Sequence, residues 1–182
     1  METDDRQLIA ELKQENTRDL AFHRLVKTYQ ERLYWHIRKI VLSHEDTDDV
    51  LQNTFLKVWK SIGGFREESK LYTWLYRIAT NEAITFLNSK KRRNLLPLND
   101  VSDYLMENLT SDPYFEGDQL QMKLQQAILR LPEKQRIVFN MKYFDDLKYE
   151  EMSQILDTSV GALKASYHHA AKKVEEFIKN TD

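Results

Sequence analysis

The sequence contains no cysteine and few of the residues that interrupt helices. Without cysteine, disulfide bonds and thiolate-bound metals are excluded, and such chains are typical of a reducing compartment. The 182 residues include only four glycines and three prolines, too few for the frequent turns of a strand-rich fold. No stretch approaches the roughly 18 uncharged residues of a membrane-spanning helix. We therefore expect an all-α, cytoplasmic protein without membrane insertion.

Charge is distributed unevenly, although the net charge is only −2. Residues 60–93 contain eight basic and three acidic side chains, whereas residues 94–118 contain six acidic and no basic ones. A positive block can bind nucleic-acid phosphates even when the total charge is near neutral. The pattern predicts a cationic surface followed by an acidic connector.

Apolar residues recur at three- and four-residue steps over most of the chain, which predicts amphipathic helices. Asp46 or Asp48, Ser69 and Ser159 stand where N-caps are expected. The predicted helices cover approximately residues 17–41, 46–62, 69–93, 118–131, 132–144, 149–156 and 160–179.

Residues 94–118 contain two of the three prolines and show no clear period, which predicts a linker with at most a short helical turn. Its scattered apolar side chains suggest that it docks on something, although a solvated tether would have a similar composition. We predict two small helical domains, a three- to four-helix bundle at 1–93 and a second domain at 119–182, joined by this acidic linker.

The last two predicted helices, at 149–156 and 160–179, have the length and separation of a helix-turn-helix. Small residues at the start of the final helix would let its backbone approach a DNA groove, where lysine and histidine meet phosphates or base edges. A small bundle with a solvated polar face would show the same periodicity. The exposed face is predicted to carry Ser159, Gly161, Ala162, Lys164, Ala165, Ser166, His168, His169 and Lys172.

The segments LPEKQRIVF (131–139) and YEEMSQILDTSVGALKASYHHAAKKV (149–174) resemble region 4 of extracytoplasmic-function (ECF) sigma factors of the bacterial sigma-70 family. The resemblance implies that the final helix reads the minus-thirty-five promoter element as duplex DNA. The family often has arginine where this chain has Ser166, His169 and Ala171. Fewer guanidinium groups would form fewer bidentate contacts, so we expect more reliance on polymerase tethering or on different bases.

The segment DTDDVLQNTFLKVWKS (46–61) has a polar face opposite an apolar stripe. By itself this pattern is typical of a solvated helix face with acidic residues near its N-terminus. The segment also resembles region 2.2 of the family, which implies binding to the clamp of core RNA polymerase. Asn53 stands where the family usually has glutamate. The residues expected to bind core polymerase are Asp48, Asp49, Gln52, Asn53 and Lys57.

The segment GGFREESKLYTWLYRIATNEAITFLNSKKRR (63–93) interleaves aromatic and basic residues. Aromatic faces stack on unpaired bases while cations follow the backbone, as single-strand binding requires, although an aromatic stripe is more often core. The segment resembles regions 2.3 and 2.4, which implies capture of a base from the melted minus-ten element. Candidate contacts are Phe65, Arg66, Ser69, Lys70, Tyr72, Trp74, Arg77, Asn81, Lys90, Lys91, Arg92 and Arg93.

No enzymatic motif is present, and we expect no catalytic residue, metal or cofactor. The run 44–49 lacks the spacing and glycine of a calcium loop, and adjacent histidines at 168 and 169 diverge by about 100° on a helix. The resemblance implies the clamp and flap of core polymerase, promoter DNA and an anti-sigma factor as partners. One alternative is a stand-alone helix-turn-helix regulator of duplex DNA; another is an interaction module that binds no nucleic acid. Neither explains the basic aromatic segment.

Overall fold

The computed structural model describes residues 2–92, 101–110 and 119–180, and within these ranges it contains helices and no strand. The all-α prediction is confirmed. A short 3-10 turn, Ile62–Gly64, follows the third helix. The helices are α1 (Glu2–Leu12), α2 (Arg18–Val41), α3 (His44–Ser61), α4 (Leu71–Arg92), α5 (Val101–Thr110), α6 (Gln119–Leu129), α7 (Glu133–Tyr143), α8 (Tyr149–Leu156) and α9 (Val160–Asn180).

The N-cap of α3 differs from the prediction. Ser43 caps this helix, because its Oγ accepts a hydrogen bond from the Asp46 backbone N–H at 3.3 Å. The Asp46 carboxylate is instead bound by Lys90 of α4. The predictions of Asp46 or Asp48 as the cap were therefore wrong. At α9 the predicted cap is confirmed, since Ser159 Oγ accepts from the Ala162 backbone N–H at 3.3 Å.

Helices α2, α3 and α4 pack into a bundle whose interior is mostly aliphatic. Full burial of each such side chain is worth roughly 1.5–3 kcal/mol. Helix α1, which the periodicity did not predict, adds Ile9 and Leu12 to the same core. The largest fully buried side chains of the bundle include Leu25, Leu33, Ile37, Ile40, Leu71, Leu75 and Leu87.

Helix α5 lies within the predicted linker and is longer than the single helical turn expected there. It buries Leu105 and Leu109 in the main apolar cluster. These two side chains bear out the expectation that the linker docks. The rest of the linker lies outside the described residues.

Helices α6 to α9 form a second bundle around Phe139, Ala170 and Val174. Helix α8 covers the predicted residues 149–156, and the chain then turns at Asp157, whose φ of 49° is left-handed. Aspartate tolerates this conformation better than most residues. The turn aligns α8 and α9 as the predicted helix-turn-helix.

The two bundles are in direct contact, which the sequence did not predict. The apolar cluster of α2 and α4 continues into the second bundle through Met141, Met152 and Ile155. Within the described residues, no helix is both long enough and apolar enough to span a membrane.

Candidate nucleic-acid interface

One face of α3 is exposed along its length. The side chains predicted to bind core polymerase, from Asp48 to Lys57, are all exposed there. Leu56 lies among them and is 51% exposed. Lys57 forms an ion pair with Glu82 of α4, so this cation has an internal partner. The face therefore combines acids, amides and one exposed leucine.

A cleft of about 510 Å³ opens between the loop after α3 and the first turns of α4. One wall is aromatic, with the rings of Phe65 and Trp74 4.9 Å apart and tilted by 36°. Phe65 is only 5% exposed, so here it supports Trp74 from behind and does not itself face solvent.

Two exposed arginines, Arg66 and Arg77, stand at this cleft. Asn81 lies one helical turn beyond Arg77 on α4 and is also exposed. Ser69 lines the cleft, and Lys70 is exposed on the adjoining loop. The structure thus brings five of the twelve predicted minus-ten residues together in this cleft, which also contains the carboxylates of Glu68 and Asp157. The five are Phe65, Arg66, Ser69, Trp74 and Arg77.

Tyr72 takes a different position from its predicted neighbours. It is half-buried beside Glu151 of α8. Burial, followed by the neighbouring Glu151 carboxylate, raises the pKa of Tyr72 to about 12. The phenol is therefore neutral at physiological pH.

The predicted cations at the end of α4 are only partly available. Lys90 Nζ lies 2.7 Å from both carboxylate oxygens of Asp46 and 2.6 Å from the Tyr104 hydroxyl of α5. Partial burial lowers the pKa of Lys90, but these bonds outweigh it and raise the pKa above its ordinary value. Arg92 is exposed; Arg93 and the Lys91 side chain lie outside the described residues.

The outer face of α9 matches the predicted composition. Exposed Gly161, Ala162 and Ala165 make its N-terminal end smooth, and no atom lies within 4 Å of a β-carbon placed on Gly161. Such a surface lets a helix enter a major groove closely. The polar side chains on this face are exposed except for half-buried Ser166, and they include Lys164, His168, His169 and Lys172.

Two family models match this chain: Sigma-70 region 2 over residues 25–93 and Sigma-70, region 4 over residues 121–174. The ECF RNA polymerase sigma-E factor of Haemophilus influenzae is 32% identical over 87% of this chain and 88% of its own length. The chain belongs to the ECF sigma factors of the sigma-70 family. The RNA polymerase sigma-H factor of Pseudomonas aeruginosa is 29% identical to this sigma factor, over 96% of the chain and 94% of that protein.

Two solved structures resemble the fold of this sigma factor. CnrH in complex with the cytosolic domain of CnrY has a TM-score of 0.71 and 21% identity, covering 98% of this chain and 99% of that one. The sigma factor RpoE in complex with the anti-sigma factor NepR from Bartonella quintana has a TM-score of 0.70 and 21% identity, covering 87% and 96%. At this identity the likeness concerns the fold alone.

One wall of the cleft in this sigma factor was not predicted from the sequence. Ser153, Gln154 and Asp157, from α8 and the following turn, line it opposite Trp74. No local pattern could have indicated them, because they come from the other domain. Leu56 could have been found, since it falls on the polar face of α3 in a helical projection.

Proposed function

We propose that this sigma factor binds core RNA polymerase and directs promoter-specific initiation, capturing melted minus-ten bases with the first domain and reading the minus-thirty-five duplex with α9. The proposed domains are residues 1–93 and 119–182, with 94–118 as the linker. The observation that carries the proposal is the cleft walled by the contacting rings of Phe65 and Trp74 and flanked by Arg66 and Arg77. Its aromatic and cationic groups are those that single-strand binding uses.

Base capture needs a concave site because unstacking a base costs a few kcal/mol, which a flat charged strip cannot recover. Trp74 would stack on the extruded base while the two arginines bind the adjoining phosphates. Asn81 would hydrogen-bond a base edge through its amide. Arg92, with Lys91 and Arg93 beyond the described side chains, would follow the strand. Lys90 would join them only after leaving Asp46.

Duplex reading by α9 would depend on Lys164, His168 and Lys172, with Ser159 holding the helix N-terminus. Lys172 lies 3.8 Å from Glu176, so DNA would compete with an exposed intrahelical pair of little strength. We expect the duplex contacts to be weaker than those of arginine-rich relatives.

The exposed face of α3 is the proposed contact with the polymerase clamp, and the second domain is the proposed contact with its flap. Leu56 would supply the apolar centre that protein interfaces usually contain, with Asp49, Gln52 and Asn53 around it. The linker charge would suit a basic channel in the polymerase. An anti-sigma factor is a further proposed partner; CnrY and NepR are named as the partners of the two similar structures. We propose no catalytic role and a cytoplasmic location.

Run-off transcription with core polymerase tests this function. A library of promoter fragments is transcribed with core alone and with core plus this chain. Transcripts from a subset of fragments, dependent on the added chain, are expected. The absence of any such transcript, together with the absence of binding to core, would overturn the proposal.

A further inference from the structure

The loop between the 3-10 turn and α4, residues 65–70, has little internal support. Backbone hydrogen bonds of 3.1 Å fix its two ends, one donated by the Phe65 N–H and one accepted by the Lys70 carbonyl. Between them, none of the N–H groups of residues 66–69 donates to another described backbone group. The loop therefore needs contacts from elsewhere in the chain to keep one conformation.

Glu67, in the middle of this loop, has a left-handed backbone with a φ of 60°. Residues other than glycine rarely adopt this conformation, and asparagine and aspartate tolerate it better than glutamate does. A strained backbone of this kind persists only where the surrounding structure holds it. The strain lies in the loop that forms one wall of the proposed capture cleft, so the group that holds Glu67 also bears on the shape of the cleft.

That group is Lys13, which directly follows α1. Its Nζ donates a hydrogen bond to Glu67 Oε1 at 2.9 Å, across 54 positions of sequence. The two side chains are 33% and 47% exposed, so the ion pair by itself is weak. A weak contact is still enough to change the populations of loop conformations severalfold when their energies are similar.

Lys13 is held in a fixed position because α1 is anchored on the first domain. The Lys13 backbone N–H donates to the Ile9 carbonyl at 3.2 Å, which continues the helix by one residue. Ile9 and Leu12 are buried in the core. Glu11 forms an ion pair with Arg24 of α2, which ties the end of α1 to the bundle. Helix α1 thus presents the Lys13 ammonium to the loop from a rigid support.

We infer that Lys13 is a positioning residue for minus-ten recognition: through Glu67 it holds the loop in the conformation that places Arg66 and Ser69 at the capture cleft. This inference rests on the proposed function, because the loop affects promoter choice only if the cleft binds the melted strand. Lys13 is not among the described residues that line the cleft. It therefore acts on base selection through the loop and not by contact with the captured base.

Exchange of the two charges tests this role. Lys13→Glu places two carboxylates side by side, whereas Lys13→Glu/Glu67→Lys restores an opposite pair with the net charge of wild type. Lys179→Glu is the matched control, because it makes the same change of charge at another exposed ion pair, with Glu175 on α9. Any general effect of added negative charge on DNA binding appears equally in this control.

The first readout is base selection by core polymerase carrying this chain. Labelled single-stranded DNA of about 12 nucleotides contains a minus-ten element found by run-off transcription, and each of its positions is varied through the four bases. Anisotropy gives the ratio of affinities for the preferred and the other bases. Loss of folded protein or of core binding lowers the amount of complex but leaves this ratio unchanged.

We expect Lys13→Glu to reduce this ratio about threefold at the base bound in the cleft, within the range of an exposed ion pair. The exchanged pair should recover most of the ratio, and Lys179→Glu should not change it. An unchanged ratio in Lys13→Glu overturns the inference. A uniform loss of affinity for all four bases also overturns it, because that result is expected of a lysine that binds phosphate directly.

The second readout follows the loop without DNA or polymerase. The chain has no native cysteine, so a nitroxide at Glu68→Cys reports the mobility of the loop by electron paramagnetic resonance. We expect greater mobility in Lys13→Glu and a return toward wild type in the exchanged pair. Equal mobility in wild type and Lys13→Glu refutes the positioning role. Should Lys13→Glu fail to fold, Lys13→Met removes the ion pair with the side-chain stem retained, and the same outcomes apply.

Failure of the proposed function would look different. Wild-type holoenzyme would then show no base selection at any position of the single strand. The mobility of the loop would still report whether Lys13 holds Glu67, because that measurement involves neither DNA nor core polymerase.

Discussion

Leu56 is the side chain on the proposed clamp face whose exposure has no explanation within the chain. It is 51% exposed on α3, while Leu51 and Phe55 of the same helix pack against the core. An exposed leucine alone is ordinary, but one surrounded by acids and amides has the composition of an interface centre.

We expect Leu56→Ser to weaken binding to core polymerase about tenfold, corresponding to roughly 1.4 kcal/mol. The free energy of unfolding should change little, because the side chain is not part of the core. Binding is measured by anisotropy with labelled sigma factor and core. Leu20→Ser on α2 is the control, since Leu20 is 71% exposed and lies outside the proposed face. Equal affinities of the two variants for core polymerase would show that Leu56 is not part of the proposed contact.

Residue types predicted the chemistry of the cleft better than its geometry. The exposure of Arg66, Arg77 and Asn81 agrees with the sequence analysis. Phe65 is buried against Trp74, and Lys90 is bound to Asp46. Helical period indicates which side of a helix faces the core, but it cannot show that a loop aromatic or a terminal lysine finds a partner elsewhere in the chain.

Helix α5 is held on the first domain by a polar cluster, while Leu105 and Leu109 join the main apolar cluster. The Tyr104 hydroxyl donates to Asp46 Oδ2 at 2.7 Å and accepts from Lys90 at 2.6 Å. One phenol therefore connects the linker helix to the start of α3 and the end of α4.

Tyr104→Phe should loosen α5 without unfolding the bundle. Loss of hydrogen bonds to charged partners costs about 1.5–3 kcal/mol, which predicts roughly ten- to a hundredfold less protection of α5 amides in hydrogen exchange. Amides of α2 should keep their protection. Tyr143→Phe, which removes an exposed hydroxyl from α7, should change neither. Unchanged protection of α5 in Tyr104→Phe would mean that the apolar contacts alone hold this helix.

The helices themselves were largely predictable from sequence. The bounds of α8, and Ser159 as the cap of α9, follow from local patterns that the structure confirms. Helix α1 was missed because its short polar sequence has a weak apolar period. The predicted N-cap of α3 was wrong because the carboxylate of Asp46 binds Lys90 of α4. No local sequence pattern encodes such a tertiary contact.

The packing of the two domains could not have been predicted from the sequence. His36 and Asp145 are 109 positions apart, and neither residue belongs to a recognisable motif. The contact nevertheless has a consequence for pH. Burial raises the pKa of Asp145, but the hydrogen bond and charge of His36, with the charge of Lys39, outweigh burial and hold the pKa below its ordinary value of 3.8.

Because the folded pKa of Asp145 is depressed, its contribution to the contact between the two domains is fully present above pH 3.8 and is lost as pH falls through the lowered value. Tyr76 behaves oppositely: burial, followed by the charge of Asp145, raises its pKa from 10.0 to about 12. The contribution of the neutral Tyr76 phenol to the free energy of unfolding is present below pH 10 and is lost as pH rises through about 12.

Energy transfer between dyes placed at Thr85→Cys on α4 and Asn180→Cys on α9 should therefore stay constant through the neutral range and decrease at acid pH, with circular dichroism monitoring the helices. Asp145→Asn should lose the acid-dependent decrease, because no carboxylate remains at that position to be protonated. An identical acid transition in wild type and Asp145→Asn would assign it to other carboxylates.

The most direct test of the proposed function is promoter opening followed at the melted bases. A promoter selected by run-off transcription carries 2-aminopurine in its minus-ten element, and fluorescence is measured with core polymerase and this sigma factor. We expect a large increase with wild type, and a much smaller one with Asn81→Ala at unchanged affinity for core. No increase with wild type, or an equal loss of core binding and opening in Asn81→Ala, would contradict base capture by this cleft.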